Sequence, residues 1–267
     1  MLKLLYITND DRIALAAERA GVNRIWIDLE VLGKEQRQKN LNTVKSFHTI
    51  EDIKKIAPLL NKSDLLVRVN PWNKNSKKEI DEVIDAGADI IMLPYWKSKE
   101  EVWNFITYLD GRCRSLLLLE TKEAVEELKN VLEIKGIDEI HIGLNDLRLS
   151  YGYKDMFEPF ASGLLDKLST IIKEAGIPFG IGGIGQFGLG LSPSPEELIA
   201  EHYRLGSTAV ILSRTFCNAE KIKDIDLIEK TLTDNIKRLR ETEIWAADLD
   251  KKGYEDNHAL VVKALEG

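Results

Sequence analysis

Three charged residues and a proline recur at one interval. Arg68 closes the run "DLLVR", Pro94 follows "DIIML", Glu120 closes "RSLLLLE" and Asp146 follows "DEIHIGLN", each 26 residues after the one before. A short apolar run that ends in a charge and passes at once into a helical pattern, as "LLLLE" passes into "TKEAVEEL", reads as a strand buried on both faces. Its last residue then emerges at a sheet edge or barrel rim. The equal spacing predicts one register, with Glu120 and Asp146 adjacent at the C-terminal mouth and Arg68 across the opening. Two carboxylates without a His or Cys cluster make a hard oxygen site suited to Mg²⁺ or Mn²⁺, with positions left for water and a chelating substrate. Such an ion would polarise the carbonyl of a 2-oxo acid and stabilise the enolate that forms when the neighbouring C–C bond is made or broken. Arg68 would donate to that enolate oxygen or grip the carboxylate in a planar fork. Each residue alone also has a plainer use: a strand-end Glu caps a helix, an Asp in "LNDL" starts a turn, and an Arg pairs with either. Their shared register is what favours a site.

Eight short β-branched or leucine-rich runs, from "LKLLYIT" to "AVILSRTF", alternate with amphipathic segments such as "SKKEIDEVIDAG" and "SPEELIAEHYRLG". Several of these segments end in Gly where a helix C-cap would place it. The pattern predicts a single (β/α)₈ TIM barrel over residues 1–267, since no Pro/Gly/Ser-rich linker or charge block divides the chain. A doubly wound open sheet is the competing architecture. From Asp224 onward the tail exceeds what one barrel helix needs, with Ile228, Leu232, Ile236 and Leu239 at helical spacing.

Composition narrows the partners. With 267 residues, 44% hydrophobic and 30% charged, the chain can bury a large core. The net charge of −7 and the lack of a basic block argue against nucleic acid or an anionic membrane as main partner. Cys113 and Cys217 stand far apart and form no C-x-x-C pattern, which fits a reducing cytoplasm and implies neither disulfides nor zinc. The opening "MLKLLYITNDD" is too short in its apolar run for a signal peptide, and no stretch approaches a membrane span, so export and membrane insertion are not expected.

The blocks "GVNRIWIDLE", "LLVRVNP", "AGADIIMLPYWKSKEEV", "LLLLETKEAV" and "IGLNDLRLSYG" resemble, in order and spacing, the HpcH/HpaI aldolase and citrate lyase β-chain family, over about Leu2 to Phe216. The resemblance implies a metal-dependent barrel that makes or cleaves C–C bonds through a pyruvate-like or acyl-CoA enolate. It implies Glu120 and Asp146 as metal ligands, Arg68 as the group on the enolate oxygen, and Asp28 as an acid above a metal-bound water. It also implies that the C-terminal helices, residues 224–267, pack on a neighbouring subunit in dimers that assemble to hexamers.

Two departures bear on proton transfer. Aldolases of this family carry a His directly after the second-strand acids, where this chain has Val31; Glu30 and His48 are the candidate replacements. The Gln common two residues before the metal Glu is Leu118 here. In "LGKEQRQKN", Lys34, Arg37 and Gln38 resemble the basic segment of citrate lyase-like members, although a solvated charged face is the plainer reading. The run "FGIGGIGQFGLG", read as a loop after strand seven, lets backbone N–H groups approach a ligand, and its Gly182 and Gly183 with Ser213 of "SRT" are candidates for holding a carboxylate or phosphate. His141 and His202 read as packed or surface residues. The leading expectation is a Mg²⁺- or Mn²⁺-dependent aldolase joining pyruvate to an aldehyde, with phosphorylated and sugar-derived aldehydes among the options. A malyl- or citramalyl-type acyl-CoA lyase and a non-catalytic small-anion-binding barrel are the alternatives.

Overall fold

The computed structural model describes residues 1–33 and 48–266. Within it, β1 (Lys3–Ile7), β2 (Arg24–Asp28), β3 (Asp64–Arg68), β4 (Ile90–Leu93), β5 (Arg114–Leu119), β6 (Glu139–Ile142), β7 (Phe179–Ile184) and β8 (Ala209–Leu212) run parallel and close into a barrel in that order. The pairing of Lys3 with Ala209 and of Leu5 with Ile211 seals it and rules out the open sheet. The described helices are α1 (Asp11–Ala20), α2 (Ile50–Ile56), α3 (Ser76–Asp85), α4 (Lys99–Leu109), α5 (Lys122–Val131), α6 (Leu144–Tyr151), α7 (Glu158–Ala161), α8 (Leu164–Glu174), α9 (Pro195–Leu205), α10 (Ala219–Ile222), α11 (Ile225–Ala247) and α12 (Lys251–Leu265). Local chemistry sets several of their ends. Ser98 with Glu101 and Ser194 with Glu197 form capping boxes at α4 and α9, and Gly21, Gly152 and Gly206 close α1, α6 and α9 in the left-handed conformation.

Strand alternation divides the core in two. Leu5, Trp26, Leu66, Met92, Leu116 and Leu118 fill the barrel, while residues of opposite parity such as Leu4, Ile25, Ile91 and Leu117 pack outward on the helices. The barrel floor is charged. Fully buried Arg24 opens β2 and grips Glu139 at the start of β6 with both terminal nitrogens, Nη1 to Oε2 at 2.6 Å. Lys3 reaches the same carboxylate at 3.1 Å, and Arg114 pairs with Asp64 at 2.6 Å.

The glycine run is shared between strand and loop: Gly180, Gly182 and Gly183 lie inside β7, as the strand run "PFGIGGIG" predicts, and Gly185, Gly188 and Gly190 follow it. Gly180 faces the barrel interior, where a Cβ would fall 2.3 Å from His141 Nδ1 and 2.9 Å from the Ala209 Cβ. The buried His141 ring therefore needs a residue without a side chain beside it. Burial, and then the Arg24 charge, push the His141 pKa down to about 3, so the ring packs as a neutral group. Gly180→Ala is expected to overpack this layer and cost about 1–3 kcal/mol. A thermal melt should show the loss, and adding His141→Ala should recover part of it.

Register also refines the 26-residue interval. Arg68 lies opposite Met92, Leu93 opposite Leu117 and Leu119 opposite Ile142. The paired level of each marker thus falls two or three residues short of the next one, so the set climbs toward the mouth instead of forming a level ring. Barrel shear is the physical cause.

Ile228, Leu232, Ile236 and Leu239 are buried as their spacing predicts, and α11 packs on α1 and α9 of its own chain while α12 packs on α7 and α9. Glu243 accepts from the Leu2 N–H and from Tyr203 Oη, and Arg240 donates to the Leu2 carbonyl at 2.9 Å, which ties α11 to the start of β1. Among the described residues no helix is long and apolar enough to cross a membrane.

Candidate active site

The ends of β2, β3, β5, β6, β7 and β8 surround a cavity of about 260 Å³ at the C-terminal mouth. Asp28, Arg68, Glu120, Asp146, Gly182, Gly183 and Ser213 all line it, so seven of the expected residues meet in one place. Leu118, Trp26, Leu144 and Met156 give it an apolar wall.

Glu120 follows β5 directly, and the next residue, Thr121, caps α5 through a 3.0 Å bond from the Ala124 N–H. The cap role thus belongs to Thr121, and the Glu120 side chain turns inward and is buried. Two neighbours fix it. The Tyr95 N–H donates to Oε1 at 3.0 Å from a residue held at φ 49°, a left-handed conformation that costs a non-glycine residue about 1–3 kcal/mol. Gly143 makes room, since a Cβ there would lie 2.8 Å from Oε2. Asp146 sits in the first turn of α6, where the helix dipole favours a negative charge, and it too is buried.

Arg68 and Asp28 are directly paired residues of β3 and β2. Nε and Nη2 of Arg68 donate to the two Asp28 oxygens, both at 2.8 Å, and Nη1 lies 3.4 Å from Glu30. The guanidinium stacks 4.8 Å above the Trp26 ring. Burial opposes its charge, but Asp28, Glu30 and Glu120 outweigh that and hold its pKa above the usual arginine value. The Nε/Nη2 edge of the fork is engaged by Asp28, which leaves the Nη1/Nη2 end of the guanidinium for any donation to a ligand. Asp28 is thereby the orienting partner of Arg68.

The two candidate replacements for the histidine separate in space. Glu30 is buried against Arg68 and lines neither this cavity nor the larger one beside it. His48, twenty residues beyond Asp28, lies beside the end of β2, where its Nδ1 accepts the Asp28 backbone N–H at 2.9 Å. That bond places the proton of the neutral ring on Nε2. His48 lines the larger neighbouring cavity. Lys34, Arg37 and Gln38 lie outside the described residues. Tyr95 and Arg214 were not singled out from sequence: a positive φ leaves no mark on a tyrosine, and Arg214 hid inside the "SRT" that drew attention to Ser213.

A family model described as HpcH/HpaI aldolase/citrate lyase matches residues 5–177. The chain is 22% identical over 138 residues to a hydroxypyruvate/pyruvate aldolase of Sagittula stellata, covering 40% of this chain and 54% of that protein, and so spans about half the length of that relative. It is 25% identical over 194 residues to a 4-hydroxy-2-oxo-heptane-1,7-dioate aldolase of Shigella boydii serotype 18, covering 61% and 69%. The crystal structure of an HpcH/HpaI aldolase from Desulfitobacterium hafniense DCB-2 shares the fold, with a TM-score of 0.63 at 14% identity over 86% of this chain and 93% of that one. With the barrel, its mouth and a matched segment of well over half its length, this chain belongs to the HpcH/HpaI aldolase/citrate lyase family.

Proposed function

We propose that the protein is a divalent-metal-dependent carbon–carbon lyase of the aldolase type, with pyruvate or a close 2-oxo acid as enolate partner and an aldehyde as the other. The observation that carries this is the meeting of Glu120, Asp146 and Arg68 on one small, partly apolar cavity. The names of the two aldolase relatives, both 2-oxo acid enzymes, support the substrate class.

The donor set fits Mg²⁺ or Mn²⁺. Two buried carboxylates on neighbouring βα units supply hard oxygen, and since among the described residues no third His, Cys, Asp or Glu joins them, water and substrate would complete the shell. When bound, the ion would supply Lewis acidity at the 2-oxo group. Around it the chain's own residues divide the work. Arg68 donates to the developing enolate oxygen, held in place by Asp28, Glu30 and the Trp26 face. Gly182, Gly183 and Ser213 bind the substrate carboxylate, with Gly183 at φ 75° turning its backbone at a bulge in β7. His48, which holds the Asp28 backbone N–H, lines the neighbouring cavity, and we assign it to proton movement from that side of the Asp28–Arg68 pair. Leu118, Leu144 and Met156 exclude water from the enolate.

Following the pyruvate methyl protons by NMR in D₂O tests the reading without knowledge of the acceptor. Exchange with Mg²⁺ or Mn²⁺ that stops on chelation is expected. No exchange with either metal would overturn it and direct attention to CoA thioesters. Assembly into a dimer-based oligomer belongs to the same proposal, with exposed Ile244, Trp245 and Leu260 on α11 and α12 as apolar surface for it. Light scattering should then give a multiple of 30.2 kDa; a monomer mass contradicts it.

A further inference from the structure

Asn70 comes two residues after Arg68, just beyond the end of β3, and its side chain ties down the turn that follows β2. Oδ1 accepts the Val31 and Leu32 N–H groups, both at 2.9 Å, and Nδ2 reaches the Leu29 carbonyl at 3.4 Å. Val31 and Leu32 are 61% and 48% exposed, so side-chain burial does little to hold them and the backbone bonds to Asn70 do more. Glu30 stands within this turn and is buried. Its carboxylate lies 3.4 Å from Arg68 Nη1, and its N–H donates to Asp28 Oδ1 at 3.2 Å.

Asn70 is fixed in turn by α3. Glu79 in the first turn of that helix accepts the Asn70 N–H at 3.2 Å and Asn70 Nδ2 at 2.7 Å. Burial raises the Glu79 pKa, the Asn70 bonds oppose the rise, and Glu82 adds to it. The carboxylate decides which way round the amide sits, with its donor toward Glu79 and its oxygen toward Val31 and Leu32. An asparagine supplies both a donor and an acceptor at this length, whereas Asp and Leu, of similar size, do not.

We propose that Asn70 is a positioning residue: through the Leu29–Leu32 turn it seats Glu30 against Arg68, and so sets the direction of the guanidinium end that is left for a ligand. Its bearing on catalysis rests on the lyase reading above. Arg68 donates there to an oxygen whose charge develops in the transition state. Loosening its seat should therefore lower kcat and leave KM nearly unchanged.

Amide hydrogen exchange resolved to single residues gives a readout free of turnover. In Asn70→Ala the Val31 and Leu32 amides lose their acceptor, and the Glu30 amide, which is bonded to Asp28 and not to Asn70, should also exchange about tenfold faster. The kcat for exchange of the pyruvate methyl protons with Mg²⁺ should fall about 10–100-fold, the scale of a misplacement near 1 Å. Asn70→Asp keeps the size and the acceptor but sets a second carboxylate against Glu79. That pair shares a proton at low pH and loses it as pH rises, so the rate relative to wild type should fall toward alkaline pH. Adding Glu79→Gln returns a donor and should bring the ratio back near the wild-type level at every pH, a rescue that a general loss of stability would not give. An unmoved Glu30 amide in Asn70→Ala, or a kcat within about twofold of wild type, overturns the positioning role. A wild type without pyruvate exchange sinks the lyase reading alone, and the Glu30 amide then decides whether Asn70 seats the turn.

Discussion

Glu120→Gln and Asp146→Asn should each abolish metal-dependent exchange of the pyruvate methyl protons, with rates falling on the order of 10³-fold. Several kcal/mol of transition-state charge stabilisation depend on the ion those carboxylates would hold, and each 1.36 kcal/mol is a factor of ten. Both substitutions keep shape and volume, so the fold should survive, which circular dichroism can verify. Titration with Mn²⁺ followed by electron paramagnetic resonance provides a readout independent of turnover, and affinity should drop sharply in both variants. Unaltered Mn²⁺ affinity in both would mean that the pair is not a metal site. Gln at 120 can still accept the Tyr95 N–H, so lost exchange there would report the charge and not the pose.

The largest stability effect is expected far from the chemistry, on the barrel floor. Arg24→Ala would leave Glu139 at the base of the barrel with Lys3, 3.1 Å away, as its remaining ion-pair partner among the described residues, and breaking a buried pair from one side typically costs about 3–5 kcal/mol. For a chain of this size that corresponds to a melting point lower by roughly 6–20 °C. The pair also sets a pH dependence. Burial raises the Glu139 pKa, but Arg24 and Lys3 more than offset it, and the net shift is downward. A carboxyl with a depressed folded pKa contributes stability that is fully present above its unfolded value and lost as pH falls through the folded one. Melting points of wild type and Glu139→Gln should therefore differ at neutral pH and converge below the ordinary carboxylate range. Parallel curves down to strong acid would show that the floor carboxylate is not charged in the folded state.

Most of the architecture was legible because each unit repeats the same local signals. The apolar runs, the Ser and Thr caps and the terminal glycines agree with the barrel they build, and the interval from Arg68 to Asp146 marked the mouth. Within β7, Gly180 has its reason in the fold and not in the strand pattern, since a Cβ there would meet the His141 ring. In the site, Arg68, Glu120 and Asp146 could be grouped because regular strands carry them. His48 could only be suspected, because its contact with Asp28 joins positions twenty residues apart that no local pattern links. The pairing of Arg68 with Asp28 needed strand register, and register is a property of two segments together.

The seal between β1 and β8, with Glu243 and Arg240 holding Leu2, joins segments separated by more than two hundred positions. During translation β1 emerges first, and at about 5–20 residues per second β8 follows only roughly 10–40 s later. For that interval the nascent sheet has an open edge on β1, the kind of edge that recruits other strands. Folding of this barrel is thus a race between the ribosome and edge-to-edge association, and slow synthesis should lower the yield of native protein more than a point substitution on the helical surface.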